Sequence, residues 1–445
     1  MHIALIFEED YLGVYPSLIN ALTLLEKEGF NVDVLGSERK NSLFPSTPKF
    51  NSNITFKKIK QEACYDRNSS STIYDLRKNE NESRYDPFIK RKWYGSLFPK
   101  VFKDKFRFIR LIINENIENA YQQKKRAKDK WRYFKFCYQN IIGNDYDAII
   151  AVDTVGVVCA HLQYFFTQKR IPYIYWSLEI DTGKKYLWFD WLLSKAEKIS
   201  HRKASATIIQ EENRAKVLFS KNEVSLESEN ILYVPHSPLK ITSDKVISNF
   251  FHSKFQLSDS AIVIVHAGWI HDAMCADQFA KAASTWREKY KLIFHEREKR
   301  SKLEPFIQEI LALSKNRALL SLDPVPYNKI DSIFLSSHIG LIAYNKAYGE
   351  GRENAHKASG KLGQFLKCGI PVIALDLPGY NTMFEKYKCG HTFNDFNEIE
   401  ALISTILSNY SRYQEEALRC FDQEFEFSRF FKPVIQFIQR ASSKN

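Results

Sequence analysis

The sequence predicts an α/β protein built from two doubly wound domains, and three observations carry that prediction. The chain has 445 residues, more than a single hydrophobic core ordinarily supports. Short aliphatic and β-branched runs alternate with longer amphipathic stretches, the rhythm of parallel strands joined by crossover helices. Near the middle, Pro235-His236-Ser237-Pro238 closes one run and a polar stretch to about Asp259 follows, as expected of an interdomain connection.

In chain order, the first half offers strands at Ile3–Phe7, Val32–Leu35, Ala148–Val152, Tyr173–Tyr175, Thr207–Ile209 and Ile231–Val234. The second half offers Ala261–His266, Leu292–His295, Ala318–Leu322, Gly340–Ala343 and Val372–Leu375. Several are apolar throughout, which suits strands covered on both faces. Residues 38–88 are rich in Asn, Ser and Lys with little periodicity and read as a long excursion. The expected division is therefore a first domain over 1–238, a second over 239–420 and a terminal segment over 421–445.

Composition narrows the class. With 44% hydrophobic residues and no apolar run of about 18 residues, the chain reads as soluble, and its start lacks a basic leader with a long apolar core. Its seven cysteines are scattered and never form Cys-x-x-Cys, so a reducing, cytoplasmic setting without a metal site is expected. The net charge of +12 is concentrated: between Lys90 and Lys135 there are 15 Lys or Arg against Asp104, Glu115, Glu118 and Asp129, a local balance of +11.

The stretch carrying most chemistry runs from Ala358 to Ala374. Ser359 suits an N-cap, Gly369 suits a left-handed helix end and Pro371 bars continuation, so a short helix is bounded on both sides. Within it Leu362, Phe365 and Leu366 share one face, and Lys361 and Gln364 another. The N-terminus at Ser359 and Gly360, together with Lys361, makes a seat for a diphosphate, and Gln364 can hydrogen-bond a hydroxyl. An ordinary helix with solvated Lys361 and Gln364 satisfies the same periodicity.

These residues resemble the C-terminal-domain signature of GT-B glycosyltransferases of the broad "group 1" type, Ser-x-Lys-Leu-x-Glu-Tyr followed by Gly-x-Pro-Val-Ile-Ala and a Pro-Gly loop. Ser359, Lys361, Leu362, Gln364, Phe365, Gly369, Pro371 and Val372 take those places, and Pro378-Gly379 the loop. Asp323-Pro324-Val325-Pro326-Tyr327 is similar to the turn whose backbone holds the nucleobase, and Ala267-Gly268 to the first glycine turn of the donor domain. The resemblance implies a GT-B fold, two Rossmann-like domains facing a cleft with a C-terminal helix packing back on the first. It also implies sugar transfer, with retention at the anomeric carbon, from a UDP- or GDP-type donor without a separate cofactor. Donor contacts then fall to Gly268, Val325, Pro326, Ser359, Gly360, Lys361, Leu362 and Gln364.

The departures matter. The ribose-gripping Glu of the family is Gln364 here, and His356 stands eight residues upstream where a carboxylate is usual, with Glu353 the nearby catalytic candidate. The basic pair expected after the glycine turn is reduced to His271, so Arg352 and Lys357 become phosphate candidates beside Lys361. These losses keep open a second reading, a GT-B-shaped binding protein without catalysis.

In the first half, Gly13 follows the first strand, where close backbone approach to a substrate suits glycine and a simple turn suits it equally. Asp153 and Glu179 follow strand ends, where open parallel sheets bind ligands, and surface or capping roles compete. P-loop and dinucleotide readings fail, since position 355 is Ala and Gly349-Glu350-Gly351 has no third glycine. Residues 88–136 interleave cations with aromatics, the composition of a surface resting on an anionic leaflet; a solvated face is the plainer alternative. Nucleic acid is not expected, because no binding module accompanies the charge. A glycan, lipid-linked or protein acceptor completes the expected partners.

Overall fold

The computed structural model describes residues 1–8, 15–39, 50–61, 124–167, 170–180, 188–228, 230–241, 248–348 and 354–442. It contains two fully parallel sheets. The first has seven strands, β1 (His2–Ile6), β2 (Asn31–Arg39), β3 (Ile54–Gln61), β4 (Ala148–Val152), β5 (Tyr173–Trp176), β6 (Ala206–Ile209) and β7 (Ile231–Tyr233), in the order β3-β2-β1-β4-β5-β6-β7. The second has six, β8 (Ile262–Ala267), β9 (Tyr290–His295), β10 (Leu319–Ser321), β11 (Ile339–Ile342), β12 (Val372–Leu375) and β13 (Gly390–Phe393), ordered β10-β9-β8-β11-β12-β13. Each order reverses once, at β1/β4 and at β8/β11, and these are the switch points where open α/β sheets admit ligands beyond the strands' carboxyl ends.

Both sheets are covered on both faces, which is why their strands read as unbroken apolar runs. On one side of the first sheet lie Leu18, Leu22 and Leu25 of the helix Pro16–Lys27; on the other, Tyr133, Cys137 and Ile141 of a helix over 124–143. The second sheet is packed by Phe365 and Leu366 on one side and by Phe279, Ile307 and Ile403 on the other. A fully buried Leu, Ile or Phe of this kind contributes roughly 1.5–3 kcal/mol relative to its exposed state.

Two strands escaped the sequence reading. β3 falls inside the stretch taken as an excursion. Its Ile54-Thr55-Phe56-Lys57-Lys58-Ile59-Lys60 is a lysine-rich edge strand, whose charge blunts the exposed edge and breaks the apolar alternation. β13 is four residues long, and Gly390 passes so close to β12 that an added Cβ would stand 2.1 Å from the Val372 carbonyl oxygen.

The chain's end crosses between the sheets. The helix Tyr410–Glu424 buries Ala417, Cys420 and Phe421 in the second core, whereas Phe427–Ser442 buries Phe427, Phe431, Val434, Ile435 and Ile438 in the first. At the crossing Phe427 N–H donates to the Pro238 carbonyl at 3.4 Å, so the two connections between the halves run side by side.

Candidate functional site

The donor side is built at the β8/β11 switch point. Gly268 follows β8 with φ +108° and donates its N–H to His295 at the end of β9, 2.8 Å away. Lys361 lies directly over it: a Cβ on Gly268 would stand 2.8 Å from Lys361 Cε and 3.3 Å from Nζ. The Lys361 ammonium also sits 5.7 Å from the centre of the Tyr344 ring, just past β11. One cation, one glycine turn and the N-terminus of the helix Gly360–Lys367 therefore converge.

That helix ends as its sequence predicts. Gly369 has φ +72°, its N–H reaches Leu366 O, and Ile370 N–H reaches Phe365 O at 2.9 Å, closing the helix with a left-handed residue. Ser359 occupies the N-cap position as expected, with extended backbone, but its side chain makes no capping bond and instead accepts from the Tyr344 hydroxyl. The first-turn N–H groups thus keep their capacity for an anion.

Leu362 is fully buried in the core together with Phe365 and Leu366, the face its spacing assigned to it. Lys357, a phosphate candidate in the sequence, pairs here with Glu424 at 2.7 Å. Lys386 Nζ and the Tyr387 hydroxyl bind the same carboxyl, at 2.8 and 2.6 Å, and these partners hold it well below the usual range, at about 2 despite burial. Val325 and Pro326 lie beyond the end of β10, two strands from β8. Gly13, Arg352, Glu353 and residues 88–123 of the basic segment are outside the described residues.

Three buried polar atoms of the second domain have no hydrogen-bond partner among the described residues: Gln364 Oε1, on the same helix as Lys361, His356 Nδ1 and the Tyr380 hydroxyl. Leaving such atoms unmet costs on the order of 1–3 kcal/mol each, which a polar ligand would relieve. His356 lies against the Pro-Gly loop, since a Cβ on Gly379 (φ +89°) would come within 2.4 Å of its ring. Burial first, then nearby Lys357, lowers its pKa to about 4, so it is neutral at pH 7.

The first domain's side is built at the end of β4. Asp153 has φ +55°, a left-handed conformation that Asp tolerates better than most residues. Its Oδ1 accepts the N–H groups of Leu178 at 2.7 Å and Glu179 at 3.0 Å, so two sequence candidates meet. Burial raises the Asp153 carboxyl to about 7 against the lowering by these bonds. The Glu179 side chain is exposed.

Two participants carried no signal in the sequence. Arg214, only 2% exposed, donates from Nη2 to Leu178 O at 2.9 Å and from Nε to Gln210 Oε1 at 2.5 Å, and its charge reaches Asp153, Glu179, His236 and His356. It sits in an ordinary helix, Glu212–Asn222, with no motif around it. His236 lies in the Pro-rich connection: its ring meets Ser17 Oγ at 2.9 Å, its N–H donates to Lys357 O at 2.8 Å, and a Cβ on Gly360 would stand 3.0 Å from its Cδ2. Gly360 is thus explained by the close pass of the connection, and the connection is fastened to the donor helix.

Two parallel, doubly wound sheets and a terminal helix that crosses from the second to the first define the GT-B fold. No protein-family model matches the sequence, and no curated protein matches it. Among solved structures, sucrose-phosphate synthase from Thermosynechococcus elongatus is similar at TM-score 0.61 and 12% identity, covering 100% of both chains. HepE from Anabaena, in complex with UDP and glucose, is similar at TM-score 0.59 and 11% identity over 99% of this chain and 100% of that one. WaaG, described as a glycosyltransferase involved in lipopolysaccharide biosynthesis, is similar at TM-score 0.56 and 10% identity over 97% and 98%.

Proposed function

We propose that the chain is a glycosyltransferase that moves a sugar from a nucleoside-diphosphate sugar to an acceptor held against the first domain. The observation carrying this reading is the seat formed by Lys361 over Gly268 at the start of Gly360–Lys367. Lys361 and the helix N-terminus neutralise the diphosphate as it leaves. Gln364 takes a ribose or sugar hydroxyl, and the exposed backbone beyond β10, Val325 and Pro326, takes the base. The bond from the anomeric carbon to the phosphate oxygen breaks as the bond to the acceptor oxygen forms on the same face. The acceptor's proton passes to the departing phosphate oxygen, so no protein base is assigned; Asp153 and Glu179 orient the acceptor.

The neighbours solved with UDP and UDP-glucose favour a UDP-type donor. The charge of residues 88–136 supports work at the cytoplasmic face of a membrane, on a lipid-linked or envelope glycan acceptor. Among the described residues no helix is long and apolar enough to cross a membrane. A thermal-shift screen against UDP, GDP, CDP and their sugars tests the donor, because a ligand bound only to the native state raises Tm. Release of UDP from the stabilising sugar nucleotide then tests transfer.

A second reading has its own observation. His271, which stands where the family's basic pair would follow the glycine turn, is used as a cap, its Nδ1 accepting the Ala273 N–H at 3.1 Å, and an amide replaces the ribose carboxylate. A protein that binds sugar nucleotides without turning them over would fit these losses. Stabilisation by a sugar nucleotide with no release of diphosphate, across a panel of acceptors, would decide for it.

A further inference from the structure

The helix Trp188–His201 is amphipathic with its apolar side turned outward. Leu193, Ala196, Glu197 and Ser200 face the protein, Glu197 being buried and paired with Lys221 at 2.9 Å. The opposite stripe carries Trp188, Trp191, Leu192 and Ile199, exposed by 59, 55, 50 and 52%, at helical positions i, i+3, i+4 and i+11. Lys195, at i+7, completes it, its ammonium 5.8 Å from the Trp191 ring. Soluble surfaces seldom align large apolar side chains this way without a partner.

The neighbouring helix over 124–143 supplies charge. Lys130 pairs with Glu8 and Tyr133 donates to Leu35 O at 2.7 Å, which fixes the helix on the sheet and leaves Lys124, Lys128, Trp131 and Lys135 exposed as one outward stripe. The two helices are joined at their starts by Arg126 and Asp190, 3.7 Å apart. A tryptophan-rich apolar stripe beside a lysine stripe fits an anionic bilayer: lysines meet phosphate headgroups, and indoles enter the interfacial layer.

We propose that this two-helix face docks the first domain on an anionic lipid surface, with Trp188, Trp191 and Leu192 inserted and Lys124, Lys128, Lys135 and Lys195 on the headgroups. The proposal rests on and deepens the peripheral reading above, which drew on the cations and aromatics of residues 88–136, by assigning the apolar anchor to a segment outside them.

Flotation with phosphatidylglycerol/phosphatidylcholine vesicles, and with phosphatidylcholine alone, tests it. Wild type should float with the anionic vesicles and retain part of its binding at about 1 M salt, where screening reaches about 3 Å. Changing Trp188, Trp191 and Leu192 together to Gln, which keeps helix propensity, should lower partitioning about tenfold or more and abolish the salt-resistant part, with an unchanged thermal melt. Changing Lys124, Lys128 and Lys135 to Glu should remove the low-salt preference for phosphatidylglycerol. If the Gln variant binds as wild type does, the anchor is overturned and charge-driven contact stands. If wild type binds neither vesicle, both readings fall. Self-association in sedimentation that the Gln variant abolishes, without vesicle binding, would give the face to a second copy and overturn the proposal.

Discussion

Lys361 lies on Gly268: the space where a side chain on Gly268 would begin is occupied 2.8 Å away by Lys361 Cε. The two residues are far apart in sequence: Gly268 directly follows β8, and Lys361 lies in the first turn of the helix Gly360–Lys367. The lysine's charge is thereby brought over the glycine turn, beside the N-terminus of its own helix, an arrangement suited to a diphosphate.

Gly268→Ala should therefore impair donor binding more than folding. The methyl group must be accommodated at φ +108°, a strain on the order of 1–3 kcal/mol, and it displaces the flexible end of Lys361. Titration calorimetry with UDP should show at least about tenfold weaker affinity. Unchanged affinity would take Gly268 out of the site.

Lys361→Ala and Gln364→Ala should both weaken nucleotide binding, by different routes. The first removes a charged partner of the diphosphate, about 1.5–3 kcal/mol; the second removes a neutral hydrogen bond, about 1–2 kcal/mol. Comparing UDP with uridine separates them: only the lysine variant should lose the preference for the diphosphate. A lysine variant that discriminates as wild type does would contradict the assignment.

Asp153→Asn should stabilise the protein at alkaline pH. In the folded chain the carboxyl is raised from 3.8 to about 7, so protonation favours the native state as pH falls from 7 towards 4, and ionisation penalises it above 7. Asn carries no such penalty and tolerates positive φ. Tm should rise by a few degrees at pH 8, roughly 2–4 °C per kcal/mol, and by less at pH 5. Activity should fall if Asp153 orients the acceptor. A Tm change equal at both pH values would contradict the buried-carboxyl account.

Glu424→Gln should loosen the crossing. The Glu424 carboxyl is depressed to about 2 by Lys357, Lys386 and Tyr387, so its contribution is fully present above about 4.5 and is lost as pH falls through 2. The variant should lose on the order of 1–3 kcal/mol at pH 7 and progressively less towards pH 3, read from urea unfolding. A pH-independent difference would mean that the ion pairs are not its source.

The apolar strand runs determined the fold class by themselves, because a strand buried on both faces has no polar option along its length. The bounded helix was equally local: Gly369 supplies the left-handed end and Pro371 forbids continuation. β3 was illegible because its edge lysines obey solvent rather than the core, and β13 because four residues carry no periodicity. Ser359 was legible as the N-cap position but its partner was not, since its hydroxyl accepts from Tyr344, just past β11. Lys357 likewise carries a charge that sequence cannot aim, and the crossing helix aims it at Glu424. Spacing could place Lys361 on a helix but not over Gly268. Arg214 joins the site through the tertiary packing of its helix against Leu178, and His236 because the connection between the halves folds back against the donor helix. Local sequence sets φ, ψ and which face is apolar, whereas partners distant in the chain decide where a polar group points.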